Sequence, residues 1–351
     1  MSDIPVGLTQ VADKVDARLE QLFADERAQW VQVDPRLVEA IDELARMTAG
    51  GKRLRAGFCY WAWAGVHDGE IDEQPIIDAG AAFELLQVFA LIHDDVMDAA
   101  DTRRNRPTIH VEQAKRLTSN QWRGEPRRYG EGVAILVGDL GHVYADRFVG
   151  GAHPTARNVW DQLRIELNLG QYLDMQAAAS GEVSRETAQR VAMFKSALYT
   201  IVRPLQLGAA LHGRASPALL DQLDAFGRPI GQAFQLRDDL LGVFGDADRV
   251  GKPVGGDLRD GKPTELVAVA AERASDSQRK VLATIGRPDL SDQDISALLS
   301  VLDETGAVRE IERRIDSLVE DAIHESNRLP FAPEVRKTLV AFATYVAARN
   351  H

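Results

Sequence analysis

The sequence has almost no cysteine: Cys59 is the only one in 351 residues. A single thiol excludes an intramolecular disulfide framework and any cysteine zinc cluster, and it suits a reducing compartment. Basic charge is also in short supply. Fifty-three acidic side chains stand against 41 basic ones, a formal net charge of −12. General binding to nucleic acid or anionic membrane through counterion release needs a basic surface, so neither is expected, and an anionic ligand has to be met locally or through a metal. No run reaches the ~18 uninterrupted apolar residues of a membrane-spanning helix. The opening stretch MSDIPVGLTQVADKVD lacks the basic start and apolar core of a secretory signal. We therefore expect a cytoplasmic chain with no membrane span. Also missing are alternating Val/Ile/Thr-rich segments bounded by hairpin turns, GxGxxG and P-loop motifs, long Ser/Pro/Gly linkers, and any repeat of fixed period.

What is present is helical periodicity in a chain that is 45% hydrophobic. Val11, Val15, Leu19 and Leu22 fall on one stripe. Leu37, Ile41, Leu44 and Ala45 fall on the next, with Asp34 and Pro35 as N-cap and first helical position. Breaks come at Ala49-Gly50-Gly51, His67-Asp68-Gly69, Ser119 to Glu131, Gly150 to Pro154, Ser180-Gly181, Gly213 to Pro217, Gly245 to Pro263 and Leu329-Pro330. The pattern predicts an all-α protein with one domain over residues 1–351. Two segments, Ile76 to Asp98 and Asp221 to Phe244, are apolar on most faces, as central helices are.

Both of these helices end in aspartates. The first closes with LLQVFALIHDDVMDAADTRRNRP. Asp94 and Asp98, four apart, point the same way at roughly 6 Å, with Asp95 about 100° around the helix. Anions at a helix carboxyl end oppose the dipole, which costs stability unless a cation sits there. The second closes with GQAFQLRDDLLGVFGD, where Gln235, Asp238 and Asp239 share a face and Asp246 follows. One such cluster reads as a solvated helix end; two on apolar helices would leave unpaired charge in a core without metal ions. Carboxylate ligands without cysteine suit a hard cation, and magnesium usually brings a phosphate-bearing substrate. Gly50-Gly51-Lys52-Arg53-Leu54-Arg55 and Arg103-Arg104 supply forks that match phosphate oxygens, although a salt-bridge network would use the same residues.

In order along the chain come GGKRLR at Gly50, ELLQVFALIHDDVMDAADTRR, PTIH, GDL at Gly138, GQYLD at Gly170, FKSA at Phe194, GQAFQLRDDLLG at Gly231 and GKPVGGDLRDGKPT at Gly251. From Gly50 to Thr264 the sequence resembles the trans-isoprenyl diphosphate synthases, the polyprenyl synthetase family. The resemblance implies a bundle of long helices around a deep cavity, usually a homodimer, whose substrates are isopentenyl diphosphate and an allylic diphosphate. It implies that Asp94, Asp95, Asp98, Asp238 and Asp239 hold several magnesium ions on the allylic diphosphate. Arg103, Lys195, Gln235 and Lys252 match positions that bind that substrate, with Ser196 where threonine is common. Lys52, Arg55, Gln87 and Arg104 match the isopentenyl diphosphate site, and Gln171 and Asp174 an element supporting the metals. Asp94, Asp95, Asp98, Arg103, Lys195, Asp238 and Asp239 are accordingly the catalytic set.

The sequence departs from the family pattern at Gly242, which replaces the third aspartate of the second motif, and at Ala56, where proline often stands. The carboxyl end lacks a multiply basic tail. Leu86, Phe89 and Ala90 lie eight, five and four residues before Asp94, below the aspartates, where a growing prenyl tail would run. In the family, an aromatic at the fifth position, with no insertion in the motif, accompanies a twenty-carbon product, so geranylgeranyl diphosphate is expected, with farnesyl or longer products as alternatives. A weakly active regulatory subunit, a terpene cyclase and an acidic helical scaffold are rivals. The cyclase lacks its second NDxxSxxxE-type motif here and would not need GGKRLR. His93 is expected to be a core or supporting residue, and His110 and His142 carry no pairing.

Overall fold

A computed structural model describes residues 4–67, 72–104, 106–180, 184–245, 254–287 and 289–348. Among these, every regular element except one two-stranded ladder is helical, as the periodicity predicts. Two compact units emerge. One comprises Val6–Arg157 and Gly208–Gly213, the other Met1–Pro5, Asn158–Leu207 and Arg214–His351.

The first unit contains α1 (Val6–Trp30), a 3₁₀ turn (Pro35–Leu37), α2 (Val38–Thr48), α3 (Leu54–Gly65), α4 (Gln74–Met97), β1 (Thr102–Arg103), β2 (Arg106–Pro107), α5 (Ile109–Ser119) and α6 (Pro126–Val149). The predicted α1 stripe of Val11, Val15, Leu19 and Leu22 is buried. Ile41 and Leu44 are likewise buried, but Leu37 lies in the 3₁₀ turn and is exposed. Asp34 caps that turn, accepting from the Arg36 N–H.

Helix α4 is the core of this unit. By length and composition it could cross a membrane, but Ala81, Ala82, Phe83, Leu85 and Leu86 are fully buried. It packs most extensively on α6 and next on α3 and α1. Small residues permit that approach: a Cβ on Gly138 would lie 2.4 Å from the His93 ring, and one on Gly141 would lie 3.3 Å from the Leu85 carbonyl. Glu26 of α1 ties α1 to α6 by accepting from Tyr144 at 2.7 Å and Arg147 at 2.7 Å.

Two local departures from the sequence reading have local causes. A two-residue antiparallel ladder follows α4, pairing Arg103 with Arg106, because Arg104 adopts φ +50° and turns the chain. Within Ser119 to Glu131, the stretch from Pro126 is already helical, because Pro126 opens α6 and the Glu125 carboxylate accepts from the N–H groups of Arg127 and Arg128.

The second unit holds most of α7 (Pro154–Ser180), then α8 (Arg185–Val191), a π-helical stretch (Ala192–Val202), α9 (Arg203–Ala210, up to Leu207), α10 (Pro217–Phe244), α11 (Gly256–Arg259), α12 (Glu265–Arg273), α13 (Asp276–Leu282), α14 (Asp292–Glu304), α15 (Ala307–Ser326) and α16 (Pro333–Ala348). Ser184, Ser216, Thr264, Ser275 and Ser291 each cap a helix through a side-chain oxygen. Helix α10 is central here, packing on the π-helical stretch and on α15. Its Leu236, Leu240 and Val243 join Leu266, Leu298 and Ile311 in one apolar core.

Candidate active site

In the first unit the aspartates of α4 occupy three environments. Asp95 is 3% exposed, Asp94 is half-buried, and Asp98 is exposed at the helix C-cap, where its N–H donates to the Asp94 carbonyl. Arg103 reaches back from β1: its Nε donates to Asp95 Oδ1 at 2.7 Å, and Nη2 lies 3.5 Å from Asp94 Oδ2. Burial pushes the Asp95 carboxyl up to about 6 against the pull of Arg103, with Asp94 and Asp98 adding to the rise. The hairpin holds Arg103 there, and Thr108 Oγ1, donating to the Ala100 carbonyl at 2.8 Å, closes its base.

The glycine-rich turn between α2 and α3 lies in the same unit. Gly50 and Gly51 take φ +74° and +111°, and Arg53 enters α3 at φ +50°. Lys52 and Arg55 are half-buried at the amino end of α3, where the first backbone N–H groups favour an anion. Arg104 Nη1 donates to the Ala49 carbonyl at 3.0 Å, linking the hairpin to this turn. Gln87 is half-buried on α4, three residues after the buried Glu84.

Below the aspartates, Leu86 is fully buried, while Phe89 and Ala90 are half-buried. The Phe89 ring lies 4.6 Å from His93 and 5.0 Å from His142 of α6. His142 therefore has a packing partner that local spacing did not reveal. His93 is half-buried, its Nε2 lying 3.1 Å from the Ile135 carbonyl.

In the second unit, Asp239 is 5% exposed and accepts from Gln235 Nε2 at 2.7 Å, while Asp238 is half-buried. Burial pushes Asp239 up to about 8, assisted by Asp257, Asp238 and Glu265 and resisted by Gln235. Asp257 escaped the sequence reading, although it lies within the matching GGDLRD stretch. A Cβ on Gly242 would fall 1.8 Å from Asp257 Oδ2, so this carboxylate fills the space of the missing third side chain. A backbone bond from Gly255 to the Val243 carbonyl, 3.0 Å, pins its loop to α10.

Lys195 sits in the π-helical stretch and donates to Asp174 Oδ2 at 2.6 Å. Ser196 and Gln171 are half-buried. A Cβ on Gly170 would lie 2.6 Å from the Lys195 nitrogen, so α7 and the π-helical stretch meet backbone to backbone. Lys252 and Asp246 lie outside the described residues.

The donor chemistry fits magnesium. Hard carboxylate oxygens stand at the ends of α4 and α10, and burial pushes two of these carboxyls, Asp95 and Asp239, toward the protonated form, which a bound cation would reverse. Among the described residues no three acidic, histidine or cysteine side chains form a ready cage. Magnesium does not need one, since it is commonly bound through one or two carboxylates plus substrate phosphates.

The family model of the polyprenyl synthetases matches residues 35–302. The chain is 32% identical over 281 residues to a geranylgeranyl diphosphate synthase of Mycobacterium tuberculosis, covering 78% of this chain and 74% of the relative. It is 32% identical over 301 residues to a geranylfarnesyl diphosphate synthase of Aeropyrum pernix, covering 83% and 88%. A crystal structure of geranylgeranyl pyrophosphate synthase from Corynebacterium glutamicum, complexed with isoprenyl diphosphate and magnesium, is similar at 36% identity and a TM-score of 0.91, over 97% of this chain and 99% of that one.

Proposed function

The chain belongs to the polyprenyl synthetase family and is a prenyltransferase, and from that premise we propose that it condenses isopentenyl diphosphate head-to-tail (1'-4) with an allylic diphosphate, in a magnesium-dependent reaction yielding geranylgeranyl diphosphate. The observation that carries this reading is the Asp94–Asp95–Arg103 cluster at the end of α4, above Phe89 on the same helix.

Magnesium, when bound at the aspartates, supplies Lewis-acid charge to the diphosphate leaving group. Arg103, oriented by Asp95, and Lys195, oriented by Asp174, hold cationic donors for that diphosphate. Negative charge on the leaving group grows as the allylic bond ionises, so fixed donors stabilise the transition state more than the ground state. No side-chain nucleophile is required. Gln235, Ser196 and Lys252 are assigned to the same substrate. Lys52, Arg55, Gln87 and Arg104 bind isopentenyl diphosphate, whose double bond attacks the allylic cation, and released diphosphate takes the proton. Phe89 limits the length of the tail. The presence of Asp257 against Gly242 favours an active enzyme over a regulatory subunit, because the second motif keeps a third carboxylate nearby.

A homodimer in the cytoplasm completes the proposal. It is supported by exposed apolar side chains on one face of α6, Leu136 and Val143, and on one face of α7, Leu169 and Tyr172. Light scattering in solution tests it, and a monomer at assay concentration would refute it. For the reaction, purified protein is given magnesium, isopentenyl diphosphate and allylic diphosphates of increasing length. A twenty-carbon diphosphate is expected; a cyclic hydrocarbon, or no elongation, would refute the assignment. Asp94→Ala should lose at least about 100-fold in rate, roughly 2.7 kcal/mol.

A further inference from the structure

Arg53 is the one cation of GGKRLR that turns inward. Its side chain is 4% exposed, whereas Lys52 and Arg55 stay half-buried on either side of it. Three donors go to three different elements: Nε to Asp16 Oδ1 of α1 at 2.8 Å, Nη1 to Glu84 Oε2 of α4 at 2.7 Å, and Nη2 to the Thr48 carbonyl at the end of α2, 2.8 Å. The residue holds φ +50° to do so, a left-handed conformation that is strained for an L-residue. Persistence of that backbone requires compensating contacts, and the buried fork provides them.

Glu84 precedes Gln87 by three residues, so the two lie on adjacent turns of one α4 face. The Arg53–Glu84 pair therefore clamps the turn bearing Lys52 and Arg55 beside the turn bearing Gln87. From the other side, Arg104 grips the same loop through the Ala49 carbonyl. We infer that Arg53 is a positioning residue that sets the spacing of the isopentenyl diphosphate site without touching the substrate. This rests on the assignment of Lys52, Arg55, Gln87 and Arg104 to that substrate.

The fork is what matters. A lysine would keep the charge but could not direct three fixed donors at Asp16, Glu84 and the Thr48 carbonyl. In the full-length protein, Arg53→Lys and Glu84→Gln should each raise KM for isopentenyl diphosphate by about tenfold or more and leave KM for the allylic diphosphate within about twofold. Asp16→Asn, at a side chain 47% exposed, should act in the same direction and carries the test if Arg53→Lys does not fold. Equal rises in both KM values, or a lowered melting temperature with both KM values unchanged, would overturn the inference. Lys52→Ala separates the two levels. If it raises KM for isopentenyl diphosphate while the three positioning variants do not, the inference alone fails. If it leaves that KM unchanged, the site assignment fails and the inference falls with it.

Discussion

Adding a single methyl group at Gly170 should disable the enzyme, although the same change elsewhere should strengthen the protein. In Gly170→Ala the new Cβ would stand 2.6 Å from the Lys195 nitrogen and 2.9 Å from the Phe194 carbonyl carbon. These are backbone atoms, so relief cannot come from a side-chain rotation. The π-helical stretch must retreat by roughly 0.8 Å to reach ordinary contact. It carries Lys195, whose bond to Asp174 spans the same two elements one turn further along α7. Overpacking of this kind costs about 1–3 kcal/mol, and alanine returns about 1 kcal/mol of helix propensity, leaving a net loss near 1 kcal/mol. On the proposed assignment of Lys195 to the allylic diphosphate, misplacing this cation by almost that distance corresponds to a loss of about tenfold to a hundredfold in kcat/KM for that substrate. Gly132→Ala is the control. Gly132 is exposed in α6, and nothing lies within 4 Å of its added Cβ, so a gain of about 0.5–1 kcal/mol is expected. Parallel urea unfolding and steady-state kinetics decide the matter. Equal stability of the two variants, with full activity in Gly170→Ala, would refute the reasoning.

Phe89→Ala should lengthen the product, and His142→Ala should do the same by removing the ring packed 5.0 Å from it; product chromatography showing unchanged chain length in both would place the floor elsewhere. Metal-free protein should become more stable as pH falls from about 8.5 to 5.5: Asp95 and Asp239, raised to about 6 and about 8, bind protons there that unfolded carboxylates near 3.9 have already lost. Magnesium should therefore raise the melting temperature more at the upper pH, and a larger shift at the lower pH would count against the metal assignment. Glu26 behaves oppositely. Burial pushes its carboxyl up, but bonds from Arg147, Tyr144 and Trp30 outweigh this and hold it below the usual glutamate range. Its stabilisation is present above about pH 4.3 and is lost as pH falls through the lowered folded value. Glu26→Gln should cost roughly 2 kcal/mol at neutral pH and flatten the acid limb of the stability curve, which calorimetry across pH would measure.

Much of the fold was legible because helices are local. The α4 and α10 boundaries lie within a few residues of the apolar segments read from the sequence, since a 3.6-residue period and flanking Pro, Ser and Gly act over a turn or two. The hairpin after α4 was not legible. It depends on Arg104 accepting a left-handed conformation and on Arg103 finding Asp95, and neither leaves an alternating pattern in so short a segment. Asp257 was missed because its significance depends on Gly242, fifteen positions earlier, having no side chain. The contact of the His142 ring with Phe89 needed the packing of α6 on α4.

By itself the sequence determined which side chains share a helical face and which motifs occur in which order, and that was enough for the fold class and the family. Only the tertiary structure decided which members of each set are buried. Asp95 and Asp239 are enclosed while Asp98 is open, and Arg53 turns inward between two basic residues that do not. Spacing along a helix fixes direction, but dielectric surroundings, and hence charge and pairing, come from partners contributed by distant parts of the chain.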